Sequence, residues 1–255
     1  MLFLIKLTVT PILVGLMSLA LRHWAPTAGS ILIGLPWMTG PVLFILGQER
    51  GDTWVASTCV GVQLGVIALC GYAGGYTLIA RRHGWLASQS VGTVAFALVA
   101  LVVQRLGLGA AAAALGALAG LLTLYRAIVI PPEAPVPGRL PWWDIPARML
   151  ATAVLVVIIS LSADQLGPTW SGIIATFPVI MTVIGTFTHA QWGGDATRRL
   201  FRGVVISLVS FVLFFVTVEA SVVSLGLVAS YALAVLVSIA TSTSFVLLRR
   251  RGLIR

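Results

Sequence analysis

Charge is what this chain has least of. Only 9% of its 255 residues are Asp, Glu, Lys or Arg, against about 25% in soluble domains. Only seven are acidic. Asparagine is missing, which removes every N-x-[ST] acceptor. Cysteine occurs twice, at Cys59 and Cys70 in one apolar run. Eleven residues apart on a helix, the two cannot bridge each other, so there is no disulfide framework and both read as packing residues. The three histidines, His23, His83 and His189, are dispersed, and none has metal-ligand spacing with Cys, Asp or Glu. No P-loop, nucleophile elbow or zincin helix is present. These shortages exclude a sizeable soluble domain, a recognisable metal or cofactor site and most enzyme chemistry. The one catalytic reading left is action of the arginine turns and scattered acids on a lipid headgroup.

What is there is apolar. The chain is 59% hydrophobic with a mean hydropathy of +1.06, the composition of an integral membrane protein. The expected fold is an all-α membrane protein with nine transmembrane helices. The nine runs cover Leu2–Leu21, Ser30–Gly47, Trp54–Ala80, Leu86–Gln104, Leu108–Ile130, Ile145–Gln165, Ser171–Ala190, Arg199–Val223 and Leu227–Leu248. The first run lacks a basic leader and a clear small-x-small cleavage site, so it is read as a mature span rather than a signal peptide. The net charge of +9 does not point to nucleic acid, because the cations sit singly or in short clusters at the ends of apolar runs. Nine spans put Lys6, Arg50 and Arg105 on the N-terminal side and the remaining thirteen cations on the other. The positive-inside rule then places the N-terminus outside and the C-terminus in the cytoplasm.

The chain also writes one stretch twice. PTAGSILIGLPWMTGPVLFILGQERGD, from Pro26 to Asp52, returns from Pro168 as PTWSGIIATFPVIMTVIGTFTHAQWGGD. An offset of 142 pairs Pro26 with Pro168, Thr27 with Thr169, Pro36 with Pro178, Lys6 with Arg148 and Gly61 with Gly203. Gln48 and Asp52 match Gln191 and Asp195 at 143, which implies one extra residue there. The expected organisation is a four-helix repeat over residues 1–105, a connecting helix and Pro-rich loop over 106–144, and a second four-helix repeat over 145–255. An odd helix between two copies of four turns the second copy over, giving an inverted repeat, an architecture common in transporters. The connecting helix, with Ala112, Gly116 and Gly120 on one face, is built for close packing. Trp142 and Trp143 after it read as interfacial anchors.

Leu4-Ile5-Lys6, the Gly34-Leu35-Pro36 break and the turn Gly47-Gln48-Glu49-Arg50-Gly51 resemble the GlpM family of small bacterial inner-membrane proteins. The resemblance covers residues 1–105 and, more weakly, 145–249, where Arg148 replaces the lysine and Gln191-Trp192-Gly193-Gly194 replaces the Glu-Arg-Gly turn. It implies that this chain is a fused, two-repeat version of a protein about one repeat long. It implies topology rather than an activity.

The candidate site residues follow from cost. Lys6 and Arg148, each a few residues into the first span of a repeat, suit an anion or lipid phosphate, or else snorkel to headgroups. Pro36, Thr39 and Pro41, with Pro178 and Thr182, mark broken helices whose free backbone groups and hydroxyls can form a midplane site; the plainer reading is a packing kink. Gln63 lines a pathway or bonds across a helix interface. Asp164 and Glu219 are the candidate coupling-ion residues, or solvated interfacial acids. Asp52 and Asp195 are expected to cap helices. No catalytic residue, metal ligand or cofactor is assigned, and the oligomeric state is open. The leading reading is a transporter-like protein that binds or moves a small anion or anionic lipid at the repeat interface, with membrane lipids as its other partners. The alternative is a non-transporting accessory or scaffold subunit of a lipid or envelope-polysaccharide assembly. A passive channel is a third.

Overall fold

The computed structural model describes residues 11, 12, 14–16, 18, 19, 36, 39–130, 141–163, 173 and 176–250. Among the described residues every regular element is helical and no strand occurs. The helices are α1 (Thr39–Arg50), α2 (Asp52–Ile79), α3 (Trp85–Arg105), α4 (Ala110–Ala127), α5 (Asp144–Ala163), α6 (Val179–Leu225) and α7 (Leu227–Arg250). Residues 11, 12, 14–16, 18 and 19 are helical too, and Gly15 lies against Met149 of α5, whose Sδ would stand 3.1 Å from a Cβ placed there.

Five segments are long and apolar enough to cross a bilayer: Asp52–Ile79, Trp85–Arg105, Ala110–Ala127, Val179–Leu225 and Leu227–Phe245. α2 and α6 form the centre and bury most of their length, whereas α3, α4 and α7 bury far less. Leu98, Leu101, Leu115, Leu122, Leu236 and Ile239 stand exposed on these outer helices. In water so much bare apolar surface would drive association; against lipid it is the ordinary outer wall. The chain is therefore an all-helical protein with the length and polarity pattern of a membrane protein.

Two glycines set the long helices. Gly51 (φ 83°, ψ 168°) and Gly193 (φ 83°, ψ 175°) share a conformation that is almost closed to other residues. Each ends one helical segment and starts the next, so α6 consists of a short arm over 179–192 and a long arm over 194–225. The seventh and eighth apolar runs are thus joined by a bend at one residue. The two glycines are 142 residues apart, so the backbone keeps that offset through the turn, and the side-chain match of Gln48 and Asp52 at 143 does not follow it. α3 and α7 also begin 142 residues apart, after Gly84 and Gly226.

Pro36 and Pro178 precede helices rather than sit inside them. Gly40 N donates to the Pro36 carbonyl at 3.1 Å and Thr182 N to the Pro178 carbonyl at 2.7 Å. Proline suits such a place because it has no N–H to waste there. The expected aspartate cap on α2 is not made. Gly51 holds the capping position without a side-chain bond, and Asp52 lies in the first turn, where its charge favours the helix dipole.

The two central elements run antiparallel. Gly194, at the start of the long arm, lies directly on the backbone of Ala80 at the end of α2. The rings of Tyr76 and Phe201 follow at 5.1 Å. Cβ atoms placed on Gly116 and Gly120 of α4 would meet Ile67 Cδ1 at 3.0 Å and Cys70 Sγ at 3.3 Å. Ala113 and Ala117 complete the buried face of α4, while Ala112 is exposed, so the seam runs one residue beyond the expected one. Both cysteines are free, Cys59 buried and Cys70 half-buried in packing contacts.

Candidate functional site

Polar side chains collect at one end of the bundle, where α2, α4 and the short arm of α6 finish and α5 begins. In the first group, Arg148 and Asp144 are 2% and 0% exposed and joined by Nε to Oδ2 at 2.8 Å, one turn apart on α5. Gln191 on the short arm donates to the other carboxylate oxygen. The Arg148 guanidinium also lies 5.2 Å from the centre of the Phe187 ring. Arg148 Nη2 and Gln191 Oε1 are buried with no hydrogen-bond partner among the described residues. Arg148 therefore does not snorkel; it is held in the interior with one end of its fork unused.

The second group faces out. Arg198 donates from Nη1 to Thr77 O and from Nη2 to Val129 O, both at 2.9 Å, and so ties the last turn of α2 and the chain after α4 to α6. Its charge meets two carbonyls and no carboxylate among these contacts. Arg202 stacks over Tyr125 at 4.5 Å. Arg81 Nε stands 3.1 Å from Asp195 Oδ1, close enough for an ion pair but without hydrogen-bond alignment. Arg82, Arg126 and Arg199 belong to the same turns and last helical turns, so cations at this end far outnumber acids.

The third group leads inward from that end, where the short arm of α6 crosses α2 and α3. Tyr72 donates to Gln89 Oε1 at 2.7 Å, Thr182 to the Tyr72 hydroxyl at 3.2 Å, and Thr186 to Gln89 Oε1 at 3.3 Å. Gln89 Nε2 donates to Thr93 at 3.1 Å, and the Tyr76 hydroxyl is 3.1 Å from His189 Nδ1. Tyr72 and Tyr76 are fully buried, so the chain of hydroxyls satisfies groups that would otherwise be costly in the interior.

A second crossing, of α1 with α6 and α7, has the same plan and different chemistry. Phe44 packs edge-on to Tyr231 at 5.0 Å, and Phe214 to Tyr231 at 5.5 Å. A Cβ on Gly40 would lie 3.7 Å from Phe214 Cζ, and Tyr231 donates to the Gly40 carbonyl at 3.2 Å. Adding 142 to Gly40, Phe44, Tyr72 and Gln89 gives Thr182, Thr186, Phe214 and Tyr231. The contacts Thr182–Tyr72, Thr186–Gln89 and Tyr72–Gln89 thus correspond to Gly40–Phe214, Phe44–Tyr231 and Phe214–Tyr231, with a ring contact in place of each hydrogen bond.

Of the residues singled out from sequence, Thr182 belongs to the polar crossing and Arg148 to the buried pair. Pro178 is buried at the head of the short arm. Pro36 and Thr39 are half-buried at the head of α1, on the aromatic crossing through the contact of Gly40 with Pro36 and Phe214. Gln63 is 1% exposed, and neither amide atom has a partner among the described residues, so it bonds across no helix interface there. Glu219 is half-buried on the long arm and forms no ion pair among the described residues. Lys6 and Asp164 lie outside the described residues. No group of three or more potential metal ligands occurs among the described residues. Sequence reasoning missed Tyr72, Tyr76, Gln89, Thr186, His189, Asp144 and Gln191. Comparing residues 142 apart for polar-to-apolar exchange would have found the first of these.

Fold and site together define the class: an all-helical membrane protein with a buried ion pair and a hydroxyl-lined helix crossing at its basic end. Comparison with family models, curated proteins and solved structures finds no match.

Proposed function

We propose that this is a GlpM-like, multi-pass protein of a bacterial inner membrane, built from two inverted four-helix repeats. In this reading it binds a small anion or an anionic lipid headgroup where the repeats meet, and moves it by rocking one repeat against the other. The recurrence of glycine turns, proline-headed helices and interlocking contacts at one offset supports the duplication. The antiparallel course of α2 and the long arm, which occupy equivalent places in the two copies, supports the inversion. The basic end, placed in the cytoplasm by its excess of arginine, would face anionic lipid and draw in anions.

The observation that carries the binding reading is Arg148. Buried polar groups seldom lack partners, yet among the described residues Arg148 Nη2 lacks an acceptor and Gln191 Oε1 lacks a donor, both beside Asp144. A protonated phosphate or a hydroxyl-bearing headgroup supplies both, and a guanidinium suits such oxygens. Lys6 is the equivalent cation of the first copy. Anion uptake or lipid flipping in proteoliposomes tests the reading. Replacing Lys6 and Arg148 by Gln should weaken it about tenfold or more, the value of one charge-assisted hydrogen bond. Unchanged activity in folded protein would refute it.

One observation favours the non-transporting alternative, an accessory or scaffold subunit of a lipid or envelope-polysaccharide assembly. The aromatic crossing is closely packed, and Gly65 leaves no slack against Thr176, whose Cβ would lie 2.6 Å from an added Cβ. A partner that co-purifies in mild detergent, with no anion uptake, would decide for it.

A further inference from the structure

The two crossings are equivalent in position and opposite in polarity. Thr182 and Thr186 occupy the places of Gly40 and Phe44; Tyr72 and Gln89 occupy those of Phe214 and Tyr231. The exchange continues outward, with His189 in the place of Gly47, Tyr76 in that of Val218 and Thr93 in that of Val235. One crossing can offer a solute hydroxyls, an amide and an imidazole. The other offers rings and aliphatic surface, and the Tyr231 hydroxyl there is spent on the Gly40 carbonyl.

We infer that only one of the two crossings serves the solute. The Thr182–Tyr72–Gln89–Thr186 crossing takes a small anion from the basic end, and the Phe44–Phe214–Tyr231 crossing is a permanent seal. This rests on the anion reading above and narrows it from two equivalent routes to one. The geometry suits exchange with a ligand. Thr182 and Thr186 hold their partners at 3.2 and 3.3 Å, beyond the usual length of O–H···O bonds. Their hydroxyls can turn to an anion at little loss, and Gln89 Nε2 carries two protons but makes one bond, to Thr93. The entrance has its own attraction. Thr77, next to Tyr76, accepts from Arg198, whose guanidinium donates to the Thr77 and Val129 carbonyls. At the aromatic crossing, Leu227 and Val55 close around Gly47 instead. A duplicated protein gains from such a division: a seal on one side keeps a single route from becoming two leaks.

The test compares equivalent positions. Cys59 and Cys70 are replaced by Ala, and Thr186→Cys and Phe44→Cys are made separately in that background. Membrane vesicles are treated with a small anionic methanethiosulfonate reagent, and chloride and phosphate uptake by the unsubstituted protein is measured in proteoliposomes. The expected result is complete labelling of the Thr186→Cys protein under conditions that leave the Phe44→Cys protein unlabelled. Equal labelling, the reverse order, or no labelling of either overturns the inference. If uptake persists alongside such a pattern, the single-route inference fails alone. If the unsubstituted protein takes up no anion, the transport reading fails and takes the inference with it. Should either variant elute as aggregate on gel filtration, Thr182→Cys and Gly40→Cys give the same comparison.

Discussion

Neutralising Asp144 should destabilise the protein more than removing the whole ion pair of which it is part. Arg148 and Asp144 are 2% and 0% exposed and 2.8 Å apart, so neither charge has water to fall back on. Asp144→Asn strands the guanidinium and weakens the bond from Gln191. Breaking one side of a buried pair costs about 3–5 kcal/mol. The Phe187 ring remains beside the guanidinium and retains about 1 kcal/mol of attraction, which puts the expected loss near 3 kcal/mol. For a chain of this size that lowers the melting temperature by about 6–12 °C. The double replacement Asp144→Leu with Arg148→Met removes both desolvation penalties and should cost less than the single change. Thermal unfolding in detergent, followed by tryptophan fluorescence, reads both. A single variant within about 0.5 kcal/mol of the parent, the usual range for surface changes, would refute the burial of the pair. So would a double variant whose loss exceeds that of the single one.

Other outcomes follow from the same geometry. Gly194→Ala places a methyl on the carbonyl of Ala80; backbone cannot give way as a side chain can, so the loss should be about 3 kcal/mol or more. Gly84→Ala, with φ −67° and nothing near the added atom, is the control; at the N-cap of α3, where Ala is poorer than Gly, it should cost no more than about 1 kcal/mol. Tyr72→Phe removes the 2.7 Å bond to Gln89 and the acceptor for Thr182, and should cost about 1–3 kcal/mol because Thr182 loses its acceptor and Gln89 Oε1 keeps the longer bond from Thr186. The same unfolding assay checks all three.

The long apolar helices were legible because charge and glycine bound them. The expected run Trp54–Ala80 is α2 (Asp52–Ile79), and Leu86–Gln104 is α3 (Trp85–Arg105). The bend at Gly193 was harder, since a single glycine between two polar turns reads as a loop of several residues. Asp195 was expected to cap a helix and instead approaches Arg81, a partner that only the meeting of α2 with α6 supplies. The polar crossing was illegible one residue at a time. Tyr72 and Thr182 are 110 residues apart, and a lone tyrosine or threonine in an apolar run carries no signal of its own. Gln63 was visible as unusual, but its lack of any partner is a property of packing that no spacing rule gives.

Inversion of the two proposed repeats is tested most directly by sidedness. Glu49 precedes the Gly51 turn and Trp192 precedes the equivalent Gly193 turn. With Cys59 and Cys70 replaced by Ala, Glu49→Cys and Trp192→Cys would each be treated in intact cells with a membrane-impermeant maleimide, and again after permeabilisation. Inversion expects the Glu49→Cys protein to react in intact cells and the Trp192→Cys protein to react only after permeabilisation. Reaction of both from the same side would mean that the two turns share a face of the membrane, and the inverted-repeat account would be wrong.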